Sequence, residues 1–316
     1  MSFRAALLAL PLLVGVARAD EAFIPNQTGD DLTIVDLAAM KPVATLPIGG
    51  KPAGVAVSPD GARVYVTSPE GRFVSVIDAG ARRVVAKIPV EGLPFGVAVA
   101  PDGHVIYVAD MNGRDLLEID PETKKTRRVE IGAVPSGAAA TPDGRFVIAA
   151  ARDDNALVIV DAATFSRVGA VAVGKHPYGV TLDASGSRAY TANVESDDVS
   201  VVDLAKREVV ANVRVGSHPY GVALTRGRAF AANQYAGTVS VFDTGTLEPL
   251  ATVAVGEYPE SLGVSRDGGT IYVTNWFSNE LWSIDADTLK IKGKAPTGDG
   301  PRGFGVFVRV VDPPRP

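Results

Sequence analysis

A hydrophobic residue followed by aspartate ends seven short runs of this chain at nearly constant spacing. Consecutive aspartates are 40 to 42 residues apart and stand at Asp36, Asp78, Asp120, Asp161, Asp203, Asp243 and Asp285. A second motif, Pro-x-Gly, keeps the same spacing and begins at Pro52, Pro94, Pro135, Pro177, Pro219 and Pro301, with Pro259-Glu260-Ser261 as a variant copy. Two independent motifs in seven copies each restrict the chain to an architecture of seven equivalent units.

Each unit predicts four short β-strands. In the second unit, segments rich in β-branched residues cover 54–57, 64–67, 73–78 and 84–88. The Pro-Asp-Gly sequence at 59–61 favours a tight reversal between the first two. No stretch between residues 20 and 316 has a sustained helical period. Four strands in about 42 residues are typical of a propeller blade, so we predict an all-β, seven-bladed β-propeller.

The two ends of the repeat region predict how the ring closes. Residues 22–26 align with a second strand of the repeat, whereas residues 301–308 align with a first strand. One blade is therefore expected to combine an innermost strand from the C-terminus with three strands from the N-terminus. Such pairing removes two exposed sheet edges, which would otherwise promote aggregation.

The first 19 residues are typical of a cleaved secretory signal peptide. Arg4 precedes an apolar run over residues 5–16, and Ala17-Arg18-Ala19 matches a signal peptidase site. The run is too short to span a bilayer, so we predict no membrane span. We expect export to the periplasm and a single propeller domain over residues 20–316.

Composition excludes several classes of function. The chain has no cysteine, which rules out disulfides, thiolate metal sites and cysteine nucleophiles. It carries 31 basic and 36 acidic residues, and loss of Arg4 and Arg18 with the leader would leave a net charge of −7. A mildly acidic protein without a basic stripe argues against nucleic-acid binding. No Gly-x-Ser-x-Gly sequence supports a serine hydrolase.

Several strings resemble the YVTN-type β-propeller repeat, over essentially the whole region after residue 19. They are Tyr65-Val66-Thr67, Tyr272-Val273-Thr274, Val74-Ser75-Val76-Ile77-Asp78 and the Pro-Asp-Gly turns at 59–61, 101–103 and 142–144. The resemblance implies an exported binding or surface protein, and some such proteins are similar to accessory proteins of quinone-dependent alcohol oxidation. Related seven-bladed propellers include lyases, sugar-lactone hydrolases and subunits of amine dehydrogenases. The fold alone transfers none of these activities.

One half of a propeller face concentrates the candidate functional residues. The loops that enter each innermost strand share a face with the loops after each second strand. In the last four units, the candidate ligand-binding residues are Tyr178, Tyr220, Tyr258, Glu260, Arg302, Asn193, Asn233, Asn275 and Trp276. Glu195, Gln234 and Tyr235 lie on the same half. The equivalent positions of the first three units carry mostly small or aliphatic residues, so we expect the functional site on the later half.

Three chemistries fit these residues. His176, His218 and Glu260 could hold a divalent metal, because imidazole and carboxylate are common ligands. The same side chains could act as acid and base on a substrate. The tyrosines and Trp276 could form an aromatic wall, with Arg302 pairing a carboxylate.

A structural role for the histidines remains open beside these alternatives. The sequence His-Pro-Tyr-Gly-Val occurs at both 176–180 and 218–222, so duplication of a repeat explains the second histidine without ligation. Adjacent acidic residues, such as Asp153-Asp154, lack the spacing of a calcium loop and are interpreted as turn formers.

The leading functional hypothesis is a periplasmic binding or accessory propeller that recognises a small molecule or a protein partner without chemistry of its own. The rival hypothesis is a metal-assisted lyase or lactonase that uses His176, His218 and Glu260. A third possibility is a purely structural propeller. The resemblance to accessory proteins alone suggests association with a quinone-dependent oxidation system.

Overall fold

The computed structural model describes residues 20–310, which form a ring of seven β-sheets. The predicted signal peptide and residues 311–316 lie outside the described part of the chain. The all-β, seven-bladed propeller with four-stranded blades is confirmed. Within residues 20–310, no helix has the length and hydrophobicity needed to cross a membrane.

The blades are numbered along the chain, and their strands are as follows. Blade 1 contains β1 (Glu21–Asn26), β2 (Asp31–Asp36), β3 (Lys41–Pro47) and β29 (Val308–Arg309). Blade 2 contains β4 (Gly54–Val57), β5 (Arg63–Ser68), β6 (Phe73–Asp78) and β7 (Arg83–Pro89), with β28 (Phe304–Val306) beside β4. Blade 3 contains β8 (Pro94–Val99), β9 (Ile106–Asp110), β10 (Asp115–Ile119) and β11 (Thr126–Glu130).

The remaining four blades follow the same order. Blade 4 contains β12 (Pro135–Ala140), β13 (Phe146–Ala151), β14 (Ala156–Asp161) and β15 (Ser166–Ala172). Blade 5 contains β16 (Pro177–Leu182), β17 (Arg188–Asn193), β18 (Asp198–Asp203) and β19 (Glu208–Arg214). Blade 6 contains β20 (Pro219–Thr225), β21 (Arg228–Asn233), β22 (Thr238–Asp243) and β23 (Pro249–Ala254). Blade 7 contains β24 (Pro259–Val264), β25 (Thr270–Asn275), β26 (Glu280–Asp285) and β27 (Ile291–Pro296).

Burial changes from the middle to the rim of each blade. Residues of β13 and β17 are buried on both faces after their first position, because a blade packs against a neighbour on each side. The outermost strand β19 instead alternates between exposed and partly buried positions. A register shift in its pairing with β18 bends this edge, which opposes edge-to-edge association.

The glycine of Pro-x-Gly allows the innermost strands of neighbouring blades to approach closely. A Cβ atom on Gly96 would overlap the carbonyl oxygen of Ser136 in the next blade, and one on Gly137 would overlap that of Tyr178. The distance between neighbouring innermost strands is larger towards blade 7. A Cβ on Gly221 would lie 2.8 Å from the Glu260 carbonyl oxygen, and blade 7 carries Ser261 instead of glycine. The innermost strands are therefore less tightly packed near blade 7.

The aspartates that end the third strands cap the following turns. The Asp243 carboxylate accepts hydrogen bonds from the amides of Gly245 and Thr246, both at 2.8 Å. The same bonds hold the pKa of Asp243 below its ordinary value. Asp285 accepts equivalent bonds from the amides of Asp287 and Thr288.

The C-terminal segment closes the ring in two steps. Strand β29 pairs antiparallel with β1, as predicted, and the amide of Phe23 donates to the carbonyl of Phe307 at 2.9 Å. The segment before it, β28, leaves blade 1 and pairs in parallel with β4 of blade 2. The predicted innermost strand is therefore split, and β28 adds a fifth strand to blade 2.

A buried carboxylate fixes this closure at the opposite face from the candidate site. Glu21, whose side chain is 2% exposed, accepts hydrogen bonds from Arg82 of blade 2 and from Arg309 of β29, at 2.5 and 2.9 Å. Arg309 also donates to the carbonyl of Gly61 at 2.6 Å. Residues from both ends of the described chain and from blade 2 are thus held at one point.

Candidate functional site

Aromatic side chains close the central channel on the loop face. The middle residues of the Pro-x-Gly motifs point inwards there, and Phe95, Tyr178 and Tyr220 meet around Phe304 of β28. The Phe304 ring centroid lies 5.2, 5.0 and 6.0 Å from those three rings in turn. Burial raises the pKa of Tyr178, so its phenol stays protonated. Tyr178 and Tyr220 therefore form part of a plug.

A buried ion pair lies beside this plug, where blades 6, 7 and 1 meet. Glu260 is fully buried; its Oε2 atom lies 3.2 Å from Nε of Arg302, and Gln234 donates to Oε1 at 2.6 Å. Burial raises the pKa of Glu260, while the Arg302 charge and the Gln234 hydrogen bond oppose that rise. Glu260 is thus committed to protein partners.

Trp276 connects the ion pair to the surface. The Arg302 guanidinium carbon lies 5.9 Å from the centroid of the Trp276 ring. The indole Nε1 atom is buried and has no hydrogen-bond partner among the described residues. Trp276 packs against Phe277, whose ring centroid is 4.5 Å away.

A row of two exposed and three half-buried rings, which we call the aromatic ridge, crosses blades 6 and 7. It consists of His218, Tyr235, Tyr258, Phe277 and Trp276. His218 stacks on Tyr235 at 3.9 Å, Tyr235 contacts Tyr258 at 5.4 Å, and Tyr258 contacts Phe277 at 4.4 Å between ring centroids. Tyr235 is 59% exposed and Phe277 is 53% exposed. The two exposed rings are therefore joined through the half-buried Tyr258 into one contiguous aromatic group.

A second group, which we call the acidic segment, lies on blades 4 and 5 and consists of Asp153, His176 and Glu195. The His176 imidazole lies between the two carboxylates, with Nδ1 at 3.0 Å from Glu195 and Nε2 at 3.9 Å from Asp153. His176 has a left-handed φ of 53°, and its backbone amide donates to Asn155 at 2.9 Å. The loop conformation therefore fixes the ring between the two acids.

The three candidate asparagines support the loops from below. Asn193, Asn233 and Asn275 are fully buried. Asn193 donates to Asp198 and Ser200 at 2.6 and 2.8 Å. In this structure burial shields these three side chains from the loop face, and their role as ligand-binding residues stays a prediction.

The predicted metal triad is not assembled. Among residues 20–310, no group of three His, Asp or Glu side chains could hold a metal ion. His176 lies 3.0 Å from Glu195, His218 stacks on Tyr235, and Glu260 is buried against Arg302. Each histidine thus contacts side chains of neighbouring loops, and the two imidazoles do not share a ligand position.

Two residues of the site escaped the sequence analysis. Phe277 follows Trp276 and occupies the loop position that Tyr235 has in blade 6, so alignment of the repeats contains the signal for it. Phe304 falls in a segment that resembles an ordinary first strand. Its position in the channel depends on the parallel pairing of β28 with β4, which has no pattern in the sequence.

Comparison of the sequence with models of protein families finds one matching family. The model of the YNCE-like beta-propeller matches residues 14–100 and 93–231, more than half of the chain. The chain belongs to the YNCE-like beta-propeller family. No curated protein matches its sequence significantly.

Solved structures share the fold of this YNCE-like propeller at low sequence identity. Hydrazine synthase of Kuenenia stuttgartiensis is 20% identical with a TM-score of 0.75, over 82% of this chain and 90% of that one. A protein of unknown function from Desulfotomaculum acetoxidans is 15% identical with a TM-score of 0.78, over 90% and 99%. Dihydro-heme d1 dehydrogenase NirN, in complex with DHE, is 18% identical with a TM-score of 0.67, over 92% and 66%. At these identities the similarity concerns the fold alone.

Proposed function

We propose that this YNCE-like propeller is an exported, periplasmic binding or accessory protein that recognises a protein partner through the aromatic ridge. The observation that carries the proposal is the exposure of Tyr235 and Phe277, which lie on either side of Tyr258 within a set of touching rings. Exposed contiguous apolar surface of this kind marks interaction sites, and aromatic residues dominate their binding energy.

The geometry favours a macromolecular partner over a small molecule. Neighbouring ridge rings are 3.9 to 5.4 Å apart, so they contact each other and leave no slot for a planar ligand between them. The central channel beside the ridge is filled by Phe304 and its aromatic neighbours. A partner must therefore lie on the outside of the loop face.

The expected periplasmic location and the expected partner system rest on other observations. The signal-like N-terminus supports export, and the repeat resemblance supports an accessory role beside a quinone-dependent oxidation system.

Native mass spectrometry of the protein from its own host's exported fraction tests the proposal. We expect a co-purified protein with the wild type and its loss with Tyr235→Ser/Phe277→Ser. The matched control is Leu250→Ser, because Leu250 is 51% exposed but lies on the outer strand β23. A bound small molecule or metal ion that survives the ridge substitutions would contradict the proposal.

A further inference from the structure

We propose that the partner segment is basic, with a lysine or arginine next to an apolar anchor. In this arrangement the anchor lies on the aromatic ridge and the cation pairs with the acidic segment. The inference rests on the proposed function and adds the chemistry of the partner.

The ridge and the acidic segment form one continuous row. The amides of Tyr235 and Phe277 donate to the carbonyls of Ser217 and Glu257, both at 3.3 Å. Glu195 donates in the same way to Lys175 at 3.1 Å, and Asp153 to Ala133 at 3.2 Å. Asp153, Glu195, Tyr235 and Phe277 therefore occupy the same loop position on blades 4, 5, 6 and 7. A segment lying along this row meets carboxylates first and aromatic rings next.

The two carboxylates are accessible to a partner. The side chains of Asp153 and Glu195 are 40% and 51% exposed. Their protein contacts are His176 between them and Arg152, whose Nε lies 2.7 Å from Asp153. Half-exposed acids of this kind retain solvent-facing oxygens that can accept further hydrogen bonds.

The charges around the row favour a cation. Asp154, Glu257 and Asp299 are exposed on the flanking loops. The cations there are the exposed Lys175, Arg114, which lies 4.0 Å from Asp154, and Arg214, which lies 3.7 Å from Asp197. Together with Asp153 and Glu195, the acidic groups outnumber the basic ones. Complementary charge steers association and selects partners. Aromatic faces also attract ammonium and guanidinium groups, so a basic residue is favoured along the whole row.

A second copy of this chain fits the row less well. Pairing two rows head to tail would place the Glu195 and Asp153 carboxylates of one copy against aromatic rings of the other. Carboxylates buried without a cation are strongly unfavourable. The row therefore selects for a different protein with positive charge.

Two fluorescent nonapeptides test the inference by anisotropy titration with the full propeller. One carries a tryptophan flanked by two lysines, and the other carries a tryptophan flanked by two glutamates. We expect the basic peptide to bind about tenfold more tightly, as two partly exposed ion pairs would supply. Asp153→Asn/Glu195→Gln should abolish most of that preference without weakening the acidic peptide. Glu91→Gln is the control, because Glu91 is 89% exposed outside the row.

The outcomes separate this inference from the proposed function. Equal binding of both peptides, abolished by Tyr235→Ser, would overturn the basic partner and leave the ridge as a binding surface. Preference for the acidic peptide, or unchanged preference in Asp153→Asn/Glu195→Gln, would overturn it as well. Failure of both peptides to bind at about 1 mM would also contradict it; the proposed function is decided separately by co-purification.

Discussion

Glu260 occupies in blade 7 the channel-facing position that holds alanine, serine or an aromatic residue in blades 2 to 6. The fully buried carboxylate at this position is stabilised by the Gln234 hydrogen bond to Oε1 and by the Arg302 charge, whose Nε lies 3.2 Å from Oε2 without forming a hydrogen bond. Arg302 is in turn placed between the rings of Trp276 and Phe304. At the scale of single residues, the charged pair links the channel plug to the aromatic ridge.

A double-mutant cycle measures this link. Arg302→Met should lower the free energy of unfolding by about 3 kcal/mol, because it leaves the Glu260 charge buried without a cation. Glu260→Gln/Arg302→Met removes both charges and should recover to within about 1 kcal/mol of wild type. Since the pKa of Glu260 is raised in the folded protein, the Arg302→Met loss should be smallest at acid pH and grow as pH rises above the ordinary glutamate pKa. The free energy of unfolding, measured in urea at several pH values, checks this. If the losses caused by Glu260→Gln and Arg302→Met singly add up to the loss in the double variant, the link is contradicted.

A glycine substitution tests the close approach of neighbouring blades. The Cβ atom of Gly96→Ala would collide with the backbone carbonyl of Ser136, which no side-chain rotation can relieve. We expect a loss of about 3 kcal/mol in the free energy of unfolding. Gly29→Ala is the control, because the nearest atom to its new Cβ would be 3.4 Å away. Similar losses in both variants would show that the innermost strands are not in tight contact.

At the scale of strands and turns, the sequence predicts regularity better than exceptions. The four strands of each unit follow from local patterns that recur seven times. The pairing of β29 with β1 follows from the way the two ends of the described chain are out of phase with the repeat. The burial of Asn193 could not be predicted in this way, because an asparagine at a strand end can face either solvent or the turn beneath it. The route of β28 could not be predicted either, since its pairing with β4 depends on the shape of the closed ring.

The turn aspartates predict how stability depends on pH. Amide and hydroxyl hydrogen bonds lower the pKa of Asp78, Asp120, Asp161, Asp243 and Asp285 in the folded protein. A lowered native pKa gives stability that is present above the ordinary aspartate pKa of about 3.9 and lost as pH falls below it. Asparagine keeps the acceptor oxygen but does not titrate, so the fivefold Asp→Asn variant should melt with a weaker dependence on pH between about 5 and 3. If the melting temperatures of the wild type and of this variant depend on pH in the same way, the turn aspartates do not cause the pH dependence.

At the scale of the whole molecule, seven blades are held as a ring by a short C-terminal segment. This segment supplies Phe304 to the channel, backbone partners to β1 and β4, and Arg309 to the buried Glu21. It therefore couples closure of the ring to the shape of the loop face. The proposed binding surface is accordingly a property of the closed propeller.

Truncation tests the contribution of that segment. Deletion of residues 303–316 should lower the melting temperature by roughly 10 °C or more, because it exposes the edge of β1 and opens the channel. Deletion of residues 311–316 is the control, since it keeps every contact described above. Should the longer deletion prevent folding, Arg309→Ala alone should lower the melting temperature by a few degrees, at about 1 kcal/mol for its lost hydrogen bonds. An unchanged melt in both would refute this closure.

The most direct test of the central claim is site-specific photo-cross-linking in the protein's own host. A photoreactive amino acid at position 277 lies on the aromatic ridge, whereas one at position 250 lies on the equally exposed outer strand β23. We predict a discrete protein adduct from position 277 and none from position 250, with the adduct lost when Tyr235→Ser is added. Adducts of equal yield at the two positions, or an adduct only at 250, would show that the ridge is not the surface that binds a partner.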